Sequence, residues 1–299
     1  MLPKTISDFS LIPMIFVFLW STGFIGTKYG LPYADPLTFL FIRMLLAAFL
    51  LYLVTSFARS QWPDDINEVI HASVVGVLIH AVYLGCVFVA IADGTDAGFT
   101  ALIVSLQPLV TVILAFVWLQ EPVSVRKASG VALGLLGVCL VIYANDSGHA
   151  IFSEGYSNIA SNGLLLCLIA LLAISAGTIY QKRFCSQIKL LPSVCIQYVA
   201  ASIILLPVAA TTESMSIDWT GEFIFSLLWL VMALSIGAII LLMRLISRGN
   251  ASNVASLFYL VPPSTAIQGW LIFGETLSAL SMTGMALSVV GVAIVLTTA

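Results

Sequence analysis

The sequence predicts an all-α membrane protein, with ten transmembrane helices arranged as two inverted five-helix repeats. Three observations carry this expectation. Hydrophobic residues make up 61% of the 299 and charged residues 8%, with a mean hydropathy of +1.11, whereas about a quarter of an ordinary soluble domain is charged. Charges, prolines and polar clusters divide the chain into ten apolar segments, each of roughly the length that spans a hydrocarbon layer. The chain also matches itself at one fixed offset of 154 residues.

The segments follow in order. The first, 11–30, runs to the Gly30–Pro32 turn; Lys4 precedes it, but no A-x-A-like cleavage site follows, so it reads as a membrane helix and not a signal peptide. The second, 36–57, lies between Asp35 and Arg59, and the third, 70–92, between Glu68 and Asp93. The fourth, 97–119, opens after Asp96 and closes before Glu121 and Pro122; the fifth, 126–144, begins on Arg126 and Lys127. The polar stretch NDSGHAIFSEGYSN at 145–158 separates it from the sixth, 162–182. The seventh, 190–211, follows Lys189; the eighth, 222–245, reaches Arg244; the ninth, 251–273, ends before Glu275; the tenth is 279–297. The expected organisation is a first repeat over 1–144, a polar periplasmic linker over 145–161 and a second repeat over 162–299. With the N-terminus inside, nine of the eleven Lys and Arg residues fall on the cytoplasmic side, the exceptions being Lys28 and Arg43. Cytoplasmic loops retain such charges, so both termini are expected in the cytoplasm.

The offset of 154 pairs 97–141 with 251–295 without a gap. Pro108 meets Pro262, Glu121 meets Glu275, Thr111 meets Thr265, and Gly130 and Gly137 meet Gly284 and Gly291, among fourteen identities where chance gives roughly one match in ten. Ser21, Gly23 and Lys28 pair with Ser175, Gly177 and Lys182 in the same register. This is the signature of a duplication. Five spans per half is an odd number, so the second copy must enter the membrane inverted, and the charges agree: Arg59 aligns with Glu213, and Lys189 with Asp35. Inverted repeats that rock about an in-plane axis are a recurrent basis for alternating access. In that frame Pro108 and Pro262 are expected to kink their spans beside a watery cavity. Glu121 and Glu275 are expected to cap the helix that follows each of them. The small residues Gly130, Gly134 and Gly137, echoed by Gly284, Ser288 and Gly291, are expected to let helices pack closely.

The run FLWSTGFIGTKYGLPYADPLTFLFIR, the proline–glutamate pattern at 108/121 and 262/275, and the glycine-rich span after each glutamate together resemble the EamA-type drug/metabolite transporter superfamily. The resemblance covers essentially the whole chain. It implies a ten-helix inverted-repeat fold around a central cavity lined mainly by the first four spans of each half. It also implies a bacterial inner-membrane location and export of amino acids or other small metabolites. The first span lacks the mid-helix glutamate that the related small multidrug exporters use, which counts against a lipophilic-cation antiporter.

Polar groups in the middle of a span are costly and therefore functional suspects. The expected substrate-binding residues are Trp20, Phe24, Lys28, Arg43, His80, Tyr83, Thr100, Gln107, Ser256 and Tyr259, with Pro108 and Pro262 as gating kinks. Each has a plainer reading: serine and threonine hydroxyls bond back to their own helix, and Lys28 and Arg43 snorkel toward Asp35, Asp93 or Asp96. All fourteen acids lie in loops or near span ends. His80 is the one mid-span group whose unperturbed pKa is near neutrality, so the expectation is a facilitator, or a carrier in which His80 takes the coupling proton.

The resulting functional expectation is a secondary transporter, an exporter of small polar metabolites such as amino acids. The alternatives are a transporter of another class, drug or nucleotide precursor, and a membrane-embedded transferase, which would need its scattered His71, His80 and His149 gathered on one face. The partners expected are a small-molecule substrate and membrane lipid, with the chain a monomer or weak homodimer. Sparse mixed charge excludes a nucleic-acid face. Five scattered cysteines without a CxxC pair indicate neither metal nor disulfides. No cofactor is expected, and no Walker-type loop for ATP.

Overall fold

The computed structural model describes residues 11–119, 124–148, 157–239, 241, 245, 257–275 and 278–296. Ten helical stretches follow one another among them. They are α1 Leu11–Gly30, α2 Pro36–Phe57, α3 Ile66–Ala92, α4 in two pieces (Ala97–Val104 and Gln107–Leu119), and α5 Val125–Gly148. Then come α6 Ser157–Phe184, α7 Leu190–Thr212, α8 Gly221–Ala238, α9 Val261–Phe273 after a 3-10 turn at Phe258–Leu260, and α10 Ala279–Leu296. Six of the described helices are long and apolar enough to cross a membrane, and α4, α5 and α10 contribute shorter apolar stretches. Large apolar side chains such as Phe49, Leu172, Ile203 and Leu271 stand exposed on the outside of the bundle. In water that surface would aggregate; in hydrocarbon it costs nothing. The chain is a multi-pass membrane protein.

Two helix starts lie outside the expected bounds. Asp65 caps α3, its carboxylate accepting from the Asn67 amide at 2.9 Å, which moves the start back to Ile66. Helix α6 begins at Ser157 and α5 runs to Gly148, so both ends of the expected linker are helical.

The offset of 154 maps elements onto elements. It carries the second piece of α4, 107–119, onto 261–273, which are the bounds of α9. It also carries α2 onto 190–211 in α7, and residues 125–142 of α5 onto 279–296, the bounds of α10. The equivalent helices pack against each other. A Cβ on Gly137 would lie 2.5 Å from the Gly284 carbonyl oxygen, and one on Gly291 would lie 2.6 Å from that of Gly130. Since 137 corresponds to 291 and 130 to 284, the contact is reciprocal, as across a two-fold axis. Its two ends run in opposite senses, so α5 and α10 are antiparallel. Helices α2 and α7 cross likewise: Cys195 Sγ donates to the Ala48 carbonyl at one level, and Glu213 accepts from the Leu37 and Thr38 amides, each at 2.8 Å, at another. Between α2, α7 and α8 lies a core of Phe39, Met44, Leu51, Leu205, Phe223 and Leu230.

Helix α4 departs from expectation. A kink inside one continuous span becomes a full break at Ser105–Leu106, with Pro108 in the first turn of the new piece. Proline has no N–H to offer the carbonyl four residues back and its ring crowds that turn. The chain tightens instead, Leu106 N–H donating to Ile103 O at 3.2 Å. Pro262 also opens a new piece, after a 3-10 turn in which the Val261 N–H takes the Phe258 carbonyl.

Helices α3 and α8 share a further device. Residues Val77–Tyr83 and Leu230–Ala238 wind as π-helix. The repeat offset carries 77–83 onto 231–237, so both copies widen at the same place. Such segments re-aim side chains and concentrate at functional sites.

Candidate functional site

The two π segments face each other across a cavity of about 140 Å³. From the first half it is lined by Trp20, Phe24 and Thr27 of α1, Arg43 of α2, and His80, Tyr83 and Phe88 of α3. Ile174, Tyr198, Leu234 and Ser235 close it from the second half. A single ring-sized solute fits a space of this order.

Its walls are aromatic and its polar groups few. Phe16, Trp20 and Phe258 pack with centroids 5.1 to 5.4 Å apart, which fixes the Trp20 indole at the cavity edge. Thr27 spends its hydroxyl on the Gly23 carbonyl at 2.8 Å. His80 Nε2 donates to Gln197 Oε1 at 3.2 Å, and Gln197 in turn donates to Ser193 Oγ at 3.1 Å. That relay sets the tautomer and leaves the buried His80 Nδ1 without a partner. The Tyr198 ring meets the imidazole edge-on at 4.5 Å.

Arg43 is the exceptional group. It is 7% exposed, its Nε has no hydrogen-bond partner, and its guanidinium lies 6.0 Å from the centroid of the Phe88 ring. Both ion pairs among the described residues belong to Lys28, so no carboxylate offsets Arg43. Arg43 does not take the plainer course of snorkelling toward Asp35, Asp93 or Asp96; it lines the cavity. Helix α2 has apolar residues on every side, which is why no periodicity marked its inward face.

The other expected residues scatter. Lys28 lies at the end of α1, bonded to Glu275 Oε1 at 2.6 Å and 3.9 Å from Asp96, with its ammonium over the Phe273 ring. Thr100 is buried and bonds back to the Asp96 carbonyl at 3.0 Å, accepting the Cys167 thiol. Gln107 donates to Thr178 Oγ1 at 2.7 Å, tying α4 to α6. None of these three lines the cavity. Ser256 and the side chain of Tyr259 lie outside the described residues, as does Glu121. Of the histidines, His71 bonds Tyr180 at 2.9 Å, far along α3 from His80. Gln197, Tyr198 and Ser235 went unpicked in the sequence, although Gln197 and Ser235 are polar residues within apolar spans, the criterion that selected His80.

Glu275 corrects an expectation. It does not cap α10, the helix after it. Its carboxylate reaches into the other half and accepts the first amides of α4, Ala97 at 3.0 Å and Gly98 at 3.3 Å, as well as Lys28. A helix N-terminus carries partial positive charge, so a carboxylate with a lysine beside it is well placed there. The tie joins α1, α4 and α9 at the end of the bundle where Asp35 also bonds Ser214.

The chain matches the EamA-like transporter family over residues 10–143 and again over 161–297. It is 29% identical to the "Uncharacterized transporter YvbV" of Bacillus subtilis, covering 98% of this chain and 92% of that one. It is 27% identical to a Salmonella typhimurium protein named "Probable amino-acid metabolite efflux pump", covering 94% and 92%. It is 26% identical to the inner membrane transporter YedA of Escherichia coli, covering 94% and 87%. A solved crystal structure superposes with a TM-score of 0.64 at 18% identity, over 97% of this chain and 96% of the other, which speaks for the fold. With the family matched once in each half and across nearly the full length, this chain belongs to the EamA-like transporter family.

Proposed function

We propose that the protein is a secondary transporter that exports small polar metabolites, amino acids among them, by alternating access around the cavity between its halves. The observation that carries this reading is the cavity: it holds a buried arginine and an unpartnered imidazole nitrogen at mid-span, where polar groups are retained for function. The reciprocal, antiparallel packing of equivalent helices supports a pair of inverted repeats, the architecture that alternates between two faces. The resemblance to a Salmonella protein named as an amino-acid metabolite efflux pump supports the substrate class. The transporter relatives, and the separation of His71 from His80, favour transport over a transferase activity. The basic residues Arg59, Lys182, Arg183 and Lys189 lie at the opposite end of the bundle from Glu213 and Glu275, which favours cytoplasmic termini in a bacterial inner membrane.

The test is reconstitution. Purified protein in liposomes is expected to speed the flux of labelled neutral amino acids above protein-free vesicles, saturably and without ATP. No saturable flux of any amino acid would sink the substrate class. Orientation is tested separately in cells carrying a cysteine-free background and Ser157→Cys. An impermeant thiol reagent should label that position from outside; labelling that requires permeabilisation would invert the topology.

A further inference from the structure

We infer that the cavity reads a carboxylate, and that Arg43 is the residue that reads it. The inference rests on the transporter reading and goes beyond it by naming the chemical group every good substrate carries.

A guanidinium has five N–H donors and stays charged in proteins. Burying one without an anion is among the costliest arrangements available to a folded chain. Here Arg43 is buried, Nε is unpaired, and no Asp or Glu lines the cavity among the described residues. Its neighbours are the Phe88 ring and the phenols of Tyr83 and Tyr198, uncharged partners to which its donors make no hydrogen bond. Such a site is completed by an anion arriving from outside, and the planar fork matches a carboxylate through two parallel hydrogen bonds. A monoanion balances the single charge; a phosphate dianion overshoots it. The rest of the lining specifies the remainder of the solute. Trp20, Phe24 and Tyr83 offer ring faces for an apolar or aromatic body, and no acid in the lining demands an amino group of the solute. The amino group is thus accommodated but not required, and a cation without a carboxylate is repelled.

The probes are 3-phenylpropionate, phenylalanine, 3-phenylpropanamide, phenethylamine and phenyl phosphate, which hold the ring constant and vary the head group. Binding is read by thermal shift and calorimetry on purified full-length protein, and flux by liposome uptake. The expected result is that the two carboxylates bind and move at least about 10-fold better than the amide, amine and phosphate. Arg43→Gln is expected to lower 3-phenylpropionate affinity about 10- to 100-fold, the range of a charge-assisted hydrogen bond, and to bring the acid-to-amide ratio near one. Arg43→Lys, which keeps the charge and loses the fork, should fall between. Thermal stability of each variant without ligand shows that it is folded. If the amine, amide or phosphate binds as well as the acid, or if the ratio survives Arg43→Gln, the inference is overturned and the transporter reading stands. If none of the five binds or moves while other labelled solutes do, the inference alone again fails. If nothing moves, both fail together.

Discussion

Glu275→Ala is the substitution with the most calculable consequence. The side chain is 7% exposed and its carboxylate serves three donors: Lys28 Nζ at 2.6 Å and the amides of Ala97 and Gly98 at 3.0 and 3.3 Å. Removing it strands a lysine that is 27% exposed, whose remaining acid, Asp96, is 3.9 Å away. It also uncaps the first turn of α4. A hydrogen bond between charged groups contributes about 1.5–3 kcal/mol, and a carboxylate at a helix N-terminus about 0.5–1 kcal/mol more. The expected loss is therefore roughly 2–4 kcal/mol, and at roughly 2 °C per kcal/mol for a chain of this size it lowers the unfolding midpoint in detergent by roughly 4–8 °C. Glu275→Gln should lose about half as much, since its carbonyl oxygen still accepts from one amide. Lys28→Met should lose least, because the Glu275 carboxylate then still holds both amides of α4. A midpoint for Glu275→Ala within about 1 °C of wild type would refute the reasoning, and would mean that water already screens the whole cluster.

Three further outcomes are expected. Gly137→Val drives a side chain into the Gly284 carbonyl and Ser288, so α5 and α10 must separate; the cost should be about 1–3 kcal/mol, with Gly291→Val matching it by reciprocity, and unequal midpoints would show that the interface is not two-fold. Pro108→Ala and Pro262→Ala let the Ser105–Leu106 and Phe258–Leu260 breaks heal, and should slow transport more than they shift the midpoint; wild-type flux in both variants would remove the breaks from the mechanism. With a transported zwitterion at equal concentration on both sides, an imposed pH gradient should drive no net accumulation. Accumulation that His80→Gln abolishes, with exchange intact, would make His80 the proton carrier instead.

Helix number, the repeat and the register between halves were legible because each depends on short-range pattern: apolar length, loop charge, and glycines and prolines recurring at one spacing. What escaped the sequence depends on partners far along the chain. Glu275 lies next to α10 in sequence and was read as its cap, yet it serves Ala97, 178 residues away. Arg43 was named as a candidate for the site, but with snorkelling toward nearby acids open beside it, because nothing in α2 distinguishes inside from outside. The π segments carry no residue signature at all: VLIHAVY and LVMALSIGA are ordinary membrane-helix sequences. One extra residue per turn there is fixed by what the neighbouring helices leave room for. Gly76 shows how tight that room is, since a Cβ on it would strike the Gln197 carbonyl oxygen.

The duplication also explains where the halves had to part company. Framework residues stayed paired: Pro108 with Pro262, Gly137 with Gly291, Ser21 with Ser175. The alternating access proposed above asks for two equivalent gates, and paired helix breaks and close backbone contacts suit that demand. The cavity obeys the opposite demand. Under the same offset Trp20 corresponds to Ile174, Phe24 to Thr178, Arg43 to Gln197, His80 to Leu234 and Ala81 to Ser235. A two-fold symmetric pocket would present two arginines and two imidazoles, and would fit a solute with the same head group at both ends. A solute with one carboxylate and one apolar end has no such symmetry, and a second guanidinium would be a buried charge with nothing to pair it. In the second half the place of Arg43 is taken by Gln197, whose amide oxygen holds the imidazole of the first half.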